Sequence, residues 1–373
     1  MKYYIISGEL SGDIHAANLV RALKTLDANA VFAFTGGDHL EAVTGVQPDI
    51  HLRKMAFMGF VDVLKNISTI RKNFDKVKAS ILAFKPDVLL LVDYPGFNLR
   101  MAKWAFENGI MCDYYISPTV WAWKENRIET IRKYVNRMMV ILPFEEAFYA
   151  SKGMKVWYPG HPLIDELEHK RQGFSTREQF MQKNSLSGKP IIAVLPGSRK
   201  QEIDRMLAIM IETVKKFPDH EFVFAGNAAL APELYAPVKA GGLQLVFDQT
   251  HELMWHACAG VIKSGTSTLE SALLGLPQVV CYKSGALSFA IGKRLVKVKY
   301  ISLPNLILDR PLLKELIQKD LTSENIASEI NKLLQESNYR KEMLQGYAEL
   351  HLKLGGPGAS ARAAKWLWED VSK

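Results

Sequence analysis

From end to end, the chain alternates short apolar runs with longer stretches in which apolar positions recur every three or four residues. The short runs fall at Tyr3–Ser7, Val31–Phe34, Val88–Val92, Met111–Ile116 and Met138–Leu142. They resume at Ile191–Leu195, Glu221–Ala225, Leu243–Phe247, Gly260–Lys263 and Gln278–Cys281. Most are continuously apolar rather than alternating, which is what strands covered on both faces require. Between them the spacing predicts helices, among them Ile67–Phe84, Leu99–Asn108 closed by Gly109, Glu202–Lys216 and Ser267–Leu274. Strand, crossover helix and strand in that order give parallel sheets. The pattern weakens once, through the polar and basic "EHKRQGFSTREQFMQKNSLSGKP", and then restarts. The expectation is an α/β protein of two doubly wound Rossmann-like domains facing a central cleft. The predicted boundaries are residues 1–165, a linker over 166–188 with one short helix, a second domain over 189–348, and a last segment, 349–373. The helix of that segment carries Trp366 and Trp368 and is expected to pack back on the first domain.

Composition fits this picture and narrows the chemistry. A length of 373 residues suits two domains, and 48% hydrophobic with 23% charged residues is the balance of a globular protein with a sizeable core. Cys112, Cys258 and Cys281 form no CxxC pair, so a reducing compartment is expected. The start of the chain lacks the apolar core and cleavage site of a secretion signal, and no apolar run reaches the ~18 residues that cross a bilayer. The net charge of +8 calls for an anionic partner: nucleic acid, a phosphorylated metabolite or anionic lipid.

The loops after the strands separate these options. The first, Gly8-Glu9-Leu10-Ser11-Gly12-Asp13, stands where a dinucleotide-binding protein cradles phosphate, yet it holds two carboxylates and no base. Glu9 and Asp13 would repel a diphosphate and suit the hydroxyls of a sugar or an amphiphilic acceptor; for Asp13, stabilising a helix N-terminus is the competing reading. The equivalent loop of the second domain, Pro196-Gly197-Ser198-Arg199, is small and basic, so its N–H groups and Arg199 can both meet phosphate. Ser264-Gly265-Thr266-Ser267, between another strand and helix, offers further N–H and hydroxyl donors, and Glu270, one turn on, could take ribose hydroxyls. Ordinary capping would explain either loop alone, but two in equivalent positions favour a nucleotide site.

On these residues the chain resembles the lipid-A-disaccharide synthase family. "SGELSGD", "MGFVDVL", "DYPGFN", "YYISPTVWAWKENR", "LPFEEAFY", "PGHPLID", "LPGSRKQEI", "SGTSTLE" and "KRLVKVKYISLPNLI" stand in the family's order, over about residues 5 to 350. The resemblance implies a GT-B glycosyltransferase that moves diacylglucosamine from its UDP carrier to the 6-hydroxyl of diacylglucosamine 1-phosphate, with inversion and without a cofactor. It places Asp93 on an essential acid, Arg199 on an essential arginine and Asn305 on an essential asparagine. Glu9, Ser11 and Asp13 match the first-loop positions, and Glu270 matches the nucleotide-side glutamate. The family often has a second aspartate where this chain has Gly96. The residues favour Asp93 as general base, with Glu9, Asp13 and His15 of the neighbouring loop as rivals: "PDVLLLVDYPGFN" runs an apolar strand straight into Asp93, with Pro95 and Gly96 turning the chain beyond.

Other signals are weaker. His251 and His256 are five apart, ~140° around a helix, so they do not form a zincin-type pair, and no Asp-x-Asp motif occurs. No metal is therefore expected. Trp121 and Trp123 suit a sugar or plain packing, and His161 marks the entrance to the linker. In "LRKMAFMGFVDVLKNISTIRK", Met55, Phe57, Met58, Phe60, Val61, Val63 and Leu64 are too apolar for one helix face and are followed by bases; plain core with a solvated basic face is the competing reading. Lys293, Arg294 and Lys297 extend that basic character, so acyl chains and an anionic membrane surface are the expected contacts. The location expected is cytoplasmic, peripheral on the cytoplasmic face of the bacterial inner membrane, with a homodimer left open. The competing readings are another GT-B enzyme, such as a peptidoglycan glucosaminyltransferase or a UDP-sugar epimerase, and a nucleic-acid-binding protein. The last is disfavoured because the bases sit beside apolar residues, as in "FAIGKRLVKVKY".

Overall fold

A computed structural model describes residues 1–55, 67–295 and 298–371. The chain divides into two compact units, Met1–Asp165 with Gly355–Lys373, and Glu166–Leu354. Each is built on a parallel sheet, as continuously apolar strands require.

The first sheet contains β1 (Lys2–Ser7), β2 (Val31–Thr35), β3 (Val88–Val92), β4 (Cys112–Tyr115) and β5 (Arg137–Met139), in the order β2-β1-β3-β4-β5. Alternate residues feed two cores. Tyr4, Ile6, Leu89, Leu91 and Tyr114 pack into one, and Tyr3, Ile5, Val88, Leu90 and Tyr115 into the other. The second core is closed by the C-terminal helix Ala359–Val371, which buries Ala363, Ala364 and Leu367 there. Trp366 lies against Trp157 with ring centroids 4.9 Å apart, and the Arg137 guanidinium sits 5.1 Å over the Trp366 ring. Arg137 also pairs with the buried Asp113 directly across β4 and β5.

The second sheet contains β6 (Ile191–Leu195), β7 (Glu221–Gly226), β8 (Gln244–Phe247), β9 (Ala259–Lys263), β10 (Gln278–Tyr282) and β11 (Glu315–Ile317), in the order β11-β10-β9-β6-β7-β8. β11 adds an edge that the apolar pattern does not announce. Residues 166–188 hold more than the one short helix expected. The helix Pro162–Arg171 runs into them, and Arg177–Lys183 follows, opened by a Thr176/Gln179 capping box and anchored by the buried Phe180.

Both sheets are doubly wound, and each has one place where the strand order reverses. In the first sheet the reversal lies between β1 and β3, in the second between β6 and β9. Ligands of open α/β sheets bind beyond the carboxyl ends of the strands at such points. The loops singled out in the sequence follow these four strands.

Candidate functional site

In the second unit the carboxyl ends of β6, β7, β8 and β9 surround a cavity of about 540 Å³. Gly197, Ser198 and Arg199 line it from the β6 loop, and Gly265, Thr266 and Ser267 from the β9 loop. Two helices start there: Lys200–Val214, with Arg199 as N-cap, and Thr266–Leu273, with Gly265 as N-cap. Neither N-cap provides a side-chain hydrogen bond, so free N–H groups remain at both helix starts. Lys263 adds a second cation. Its Nζ is 2.7 Å from Glu202, whose other oxygen accepts from the Ser198 N–H at 3.1 Å, while Arg199 stands 4.0 Å from the same carboxylate and is 64% exposed. Glu202 thus holds the loop and one cation in place and leaves Arg199 free to reach an anion. Gly197 sits at φ 122°, in the region that favours glycine, and a Cβ there would meet Glu202 at 2.6 Å.

Asn227, Asp248, Thr250 and Lys263 also line the cavity and were not singled out from the sequence. Asn227 and Asp248 follow β7 and β8, and Thr250 opens the helix Thr250–His256, so no local motif marks them, whereas Lys263 directly precedes the Ser264 loop. Ser264 is turned away: its hydroxyl donates to the Ile301 carbonyl at 2.7 Å. Glu270 lies 3.4 Å from His251 and is not among the residues lining the cavity.

In the first unit, Glu9 and Asp93 lie in the loops that follow the neighbouring strands β1 and β3. The acidic loop is shorter than the sequence suggested, because Leu10–Leu26 is helical from Leu10 onward with Glu9 as N-cap. Ser11 is exposed on its first turn. Asp13 is fully buried and engaged, with one oxygen accepting from the Gly37 N–H at 2.6 Å and the other from the His39 N–H at 3.0 Å. It therefore caps a different helix, Asp38–Thr44, whose N-cap Gly37 has no side chain to do so.

The helix expected at Leu99 begins at Pro95, and the sharp turn falls on the two residues before it. Asp93 and Tyr94 both lie in the left-handed region, at φ 48° and 49°. Two consecutive non-glycine residues there cost on the order of 1–3 kcal/mol each, a strain that collects at functional sites. The surroundings hold it. The Asp93 N–H donates to Tyr115 O at 3.0 Å, and its carbonyl accepts from Asn98 Nδ2 at 2.7 Å and from the Tyr114 hydroxyl. Asn98 Nδ2 also faces the carbonyls of Val92 and, at 3.4 Å, Ile6, so it ties β3 to β1. The Asp93 carboxyl is pushed up to about 6, by burial first and by the negative charge of Glu9 second, with the Tyr94 N–H pulling the other way.

The remaining motifs organise loops. The buried Glu145 accepts from Ser117 Oγ, Trp121 Nε1 and the N–H groups of Ile141 and Leu142, so "SPTVWAW" and "LPFEE" share one carboxylate. Trp121 packs edge-on to Phe144, and Trp123 stays 42% exposed. His161 is buried, accepts the Leu163 N–H and is driven down to about 3 by burial, so it is neutral. Asn305 is fully buried, with its amide engaged by the backbone of Leu313 and by Glu315. Phe57, Met58, Phe60, Val61, Val63, Leu64 and Lys297 lie outside the described residues. Lys293 and Arg294 fall on the helix Ala286–Leu295, where Arg294 is exposed. Among the described residues no helix is long and apolar enough to cross a membrane.

Residues 3–364 match the family model described as lipid-A-disaccharide synthetase. The chain is 38% identical to the lipid-A-disaccharide synthase of Trichlorobacter lovleyi, over 96% of this chain and 95% of that one. It is 36% identical to that of Coxiella burnetii, over 97% and 96%. Among solved structures it is similar to a UDP-GlcNAc 2-epimerase from Neisseria meningitidis bound to UDP-GlcNAc, with TM-score 0.63, 16% identity and coverage of 99% and 100%. It is also similar to S. aureus MnaA with UDP, with TM-score 0.67, 14% identity and coverage of 100% and 97%. At such identities these two speak for the fold.

Proposed function

Since the chain belongs to the lipid-A-disaccharide synthetase family, we propose that it transfers 2,3-diacylglucosamine from UDP to the 6-hydroxyl of 2,3-diacylglucosamine 1-phosphate. The products are the β-1,6-linked disaccharide 1-phosphate and UDP. The observation that carries this reading is the division of charge between the two switch points. Arg199, Lys263 and two uncapped helix starts meet at one, and Glu9 and Asp93 meet at the other. The first suits a diphosphate, the second a hydroxyl that must lose its proton.

In this mechanism the cavity of the second unit takes the UDP moiety. Arg199, Lys263, Gly197, Ser198, Gly265, Thr266 and Ser267 surround the diphosphate, and the Asp248 carboxylate, which lines the same cavity, is the candidate for ribose hydroxyls. Asp93 removes the proton of the acceptor hydroxyl as its oxygen attacks the anomeric carbon from the side opposite the leaving group. A carboxyl held near 6 is ionised at neutral pH and is a stronger base than an ordinary aspartate. As the bond to UDP breaks, Arg199 and the helix starts take up the charge on the departing diphosphate, with no divalent ion required. Glu9 and Ser11 orient the acceptor sugar, and the exposed Leu10 and Trp123 offer apolar surface to an amphiphile. The acyl chains come from an anionic membrane surface, which places the protein peripherally on the cytoplasmic face of the inner membrane.

Mass spectrometry of the lipid formed by the purified protein from the two substrates tests this. A tetra-acylated disaccharide monophosphate and equimolar UDP are expected. Conversion of UDP-GlcNAc alone to its epimer would replace the proposal with an epimerase.

A further inference from the structure

We infer that Asn305 and Glu315 are positioning residues that hold the β9 phosphate loop in its binding geometry, and that neither touches the substrate. The inference rests on reading the cavity of the second unit as the UDP site.

Asn305 is fully buried, and both polar ends of its amide are engaged. Its Oδ1 accepts from the Leu313 N–H at 2.8 Å, and its Nδ2 donates to the Leu313 carbonyl at 2.9 Å and to Glu315 Oε1 at 3.0 Å. An amide with both N–H groups used has none to offer a leaving group.

Glu315 gathers the next layer. Besides Asn305, its Oε1 accepts from the Ser302 N–H at 2.9 Å and the Ser302 hydroxyl at 2.7 Å, and the Ile301 N–H lies 3.1 Å from both of its oxygens. Among the described residues no cation pairs with it, so these donors alone balance its charge. The far side of the Ile301 residue completes the line: its carbonyl accepts the Ser264 hydroxyl at 2.7 Å. Ser264 also donates its N–H to Cys281 O at 2.8 Å, and it directly precedes Gly265, Thr266 and Ser267, which line the cavity. A continuous series of hydrogen bonds therefore runs from Asn305 through Glu315, Ile301 and Ser264 to the loop whose N–H groups open the Thr266–Leu273 helix. Those N–H groups bind a diphosphate only if they converge, and Ser264 is the hinge that aims them.

Glu315→Gln keeps the shape and puts an NH2 group against backbone N–H donors, so the Ile301 loop must shift. Calorimetry with UDP should give a Kd raised about tenfold, while acceptor KM stays within twofold of wild type. Hydrogen exchange over residues 264–268 should accelerate. Ser264→Ala, which cuts the other end of the line, should show the same effects, and the double variant should lose no more than the worse single one. Should Glu315→Gln fail to fold, Ser302→Ala removes one hydroxyl and should raise the UDP Kd about threefold with faster exchange in the same segment. Wild-type protein that binds no UDP would overturn the donor-site reading and this inference with it. Wild-type binding together with unchanged UDP affinity in the variants, or losses that add, would overturn the inference alone.

Discussion

The ring of Tyr94 lies directly on Gly8. A Cβ at position 8 would stand 2.3 Å from Tyr94 Cδ1 and 2.4 Å from its Cγ, at the base of the ring rather than at a yielding tip. Nor can the ring swing aside, since its hydroxyl donates to Met55 O at 2.8 Å and its face stacks on Phe97 with centroids 5.8 Å apart. Through this contact the first loop fixes the strained pair Asp93-Tyr94.

Gly8→Ala should therefore act on catalysis through Asp93. A drop in kcat of at least tenfold is expected, with the UDP Kd unchanged because that site lies in the other unit. Steady-state kinetics and UDP calorimetry on one preparation check it; full activity would mean that Tyr94 has room to move.

Asp13 should prove a stability residue. Asp13→Asn keeps one acceptor and turns an NH2 toward either the Gly37 or the His39 N–H, leaving a buried donor unmatched at a cost of about 1–3 kcal/mol. Urea denaturation should show that loss while kinetics of the folded enzyme stay within a few-fold of wild type. Unchanged stability with a raised acceptor KM would return Asp13 to the substrate.

The sheets were legible because strands covered on both faces leave continuous apolar runs, and the β6 and β9 loops because small and basic residues follow such runs directly. Helix starts were not. Glu9 and Tyr94 are N-caps without the Ser, Thr, Asp or Asn that mark one, so Leu10 and Pro95 read as loop. β11 is three residues long, too short to show a period. The hydrogen-bond partners of Asp13 and Asn305 are distant in sequence or hidden in the core: Gly37 and His39 for one, Leu313 and Glu315 for the other. Resemblance can mark such residues as essential without saying whether they touch the substrate.

Arg199 is expected to do its work without a metal. It is exposed and only loosely held by Glu202 at 4.0 Å, and its planar fork suits a diphosphate better than an ammonium does. Arg199→Lys should lower donor kcat/KM by about a hundredfold, and chelator should leave the wild-type rate nearly unchanged. A strict need for magnesium or manganese would sink this account of the leaving group.

Membrane contact should follow the apolar and basic stretch around Phe60. Binding to vesicles containing anionic lipid should fall as salt is raised, and Phe60→Ser should weaken it several-fold with the thermal midpoint little changed. Sedimentation with vesicles measures the first and calorimetry the second. A variant that unfolds instead would make Phe60 a core residue.

Asp93 makes the sharpest prediction, because activity and stability should respond to it in opposite directions. With its carboxyl near 6, kcat should rise with pH up to that value and level off above it. Glu9→Gln removes the second cause of the upward shift, so the inflection should move to lower pH. For stability the sign reverses. A carboxyl that holds its proton more tightly folded than unfolded favours the native state below its usual value of 3.8 and loses that contribution as pH rises through about 6. At pH 8 the native protein thus carries an ion it would rather not bury. Asp93→Asn should lower kcat by at least a hundredfold, since a positioned base contributes on the order of 10²–10⁴ in rate. It should leave UDP binding intact and stabilise the fold at pH 8 by about 1–3 kcal/mol, an advantage that disappears near pH 4. Denaturation at the two pH values, set beside the rates, distinguishes this from a structural role, in which the variant would be less stable at pH 8 and the rate would fall less than tenfold.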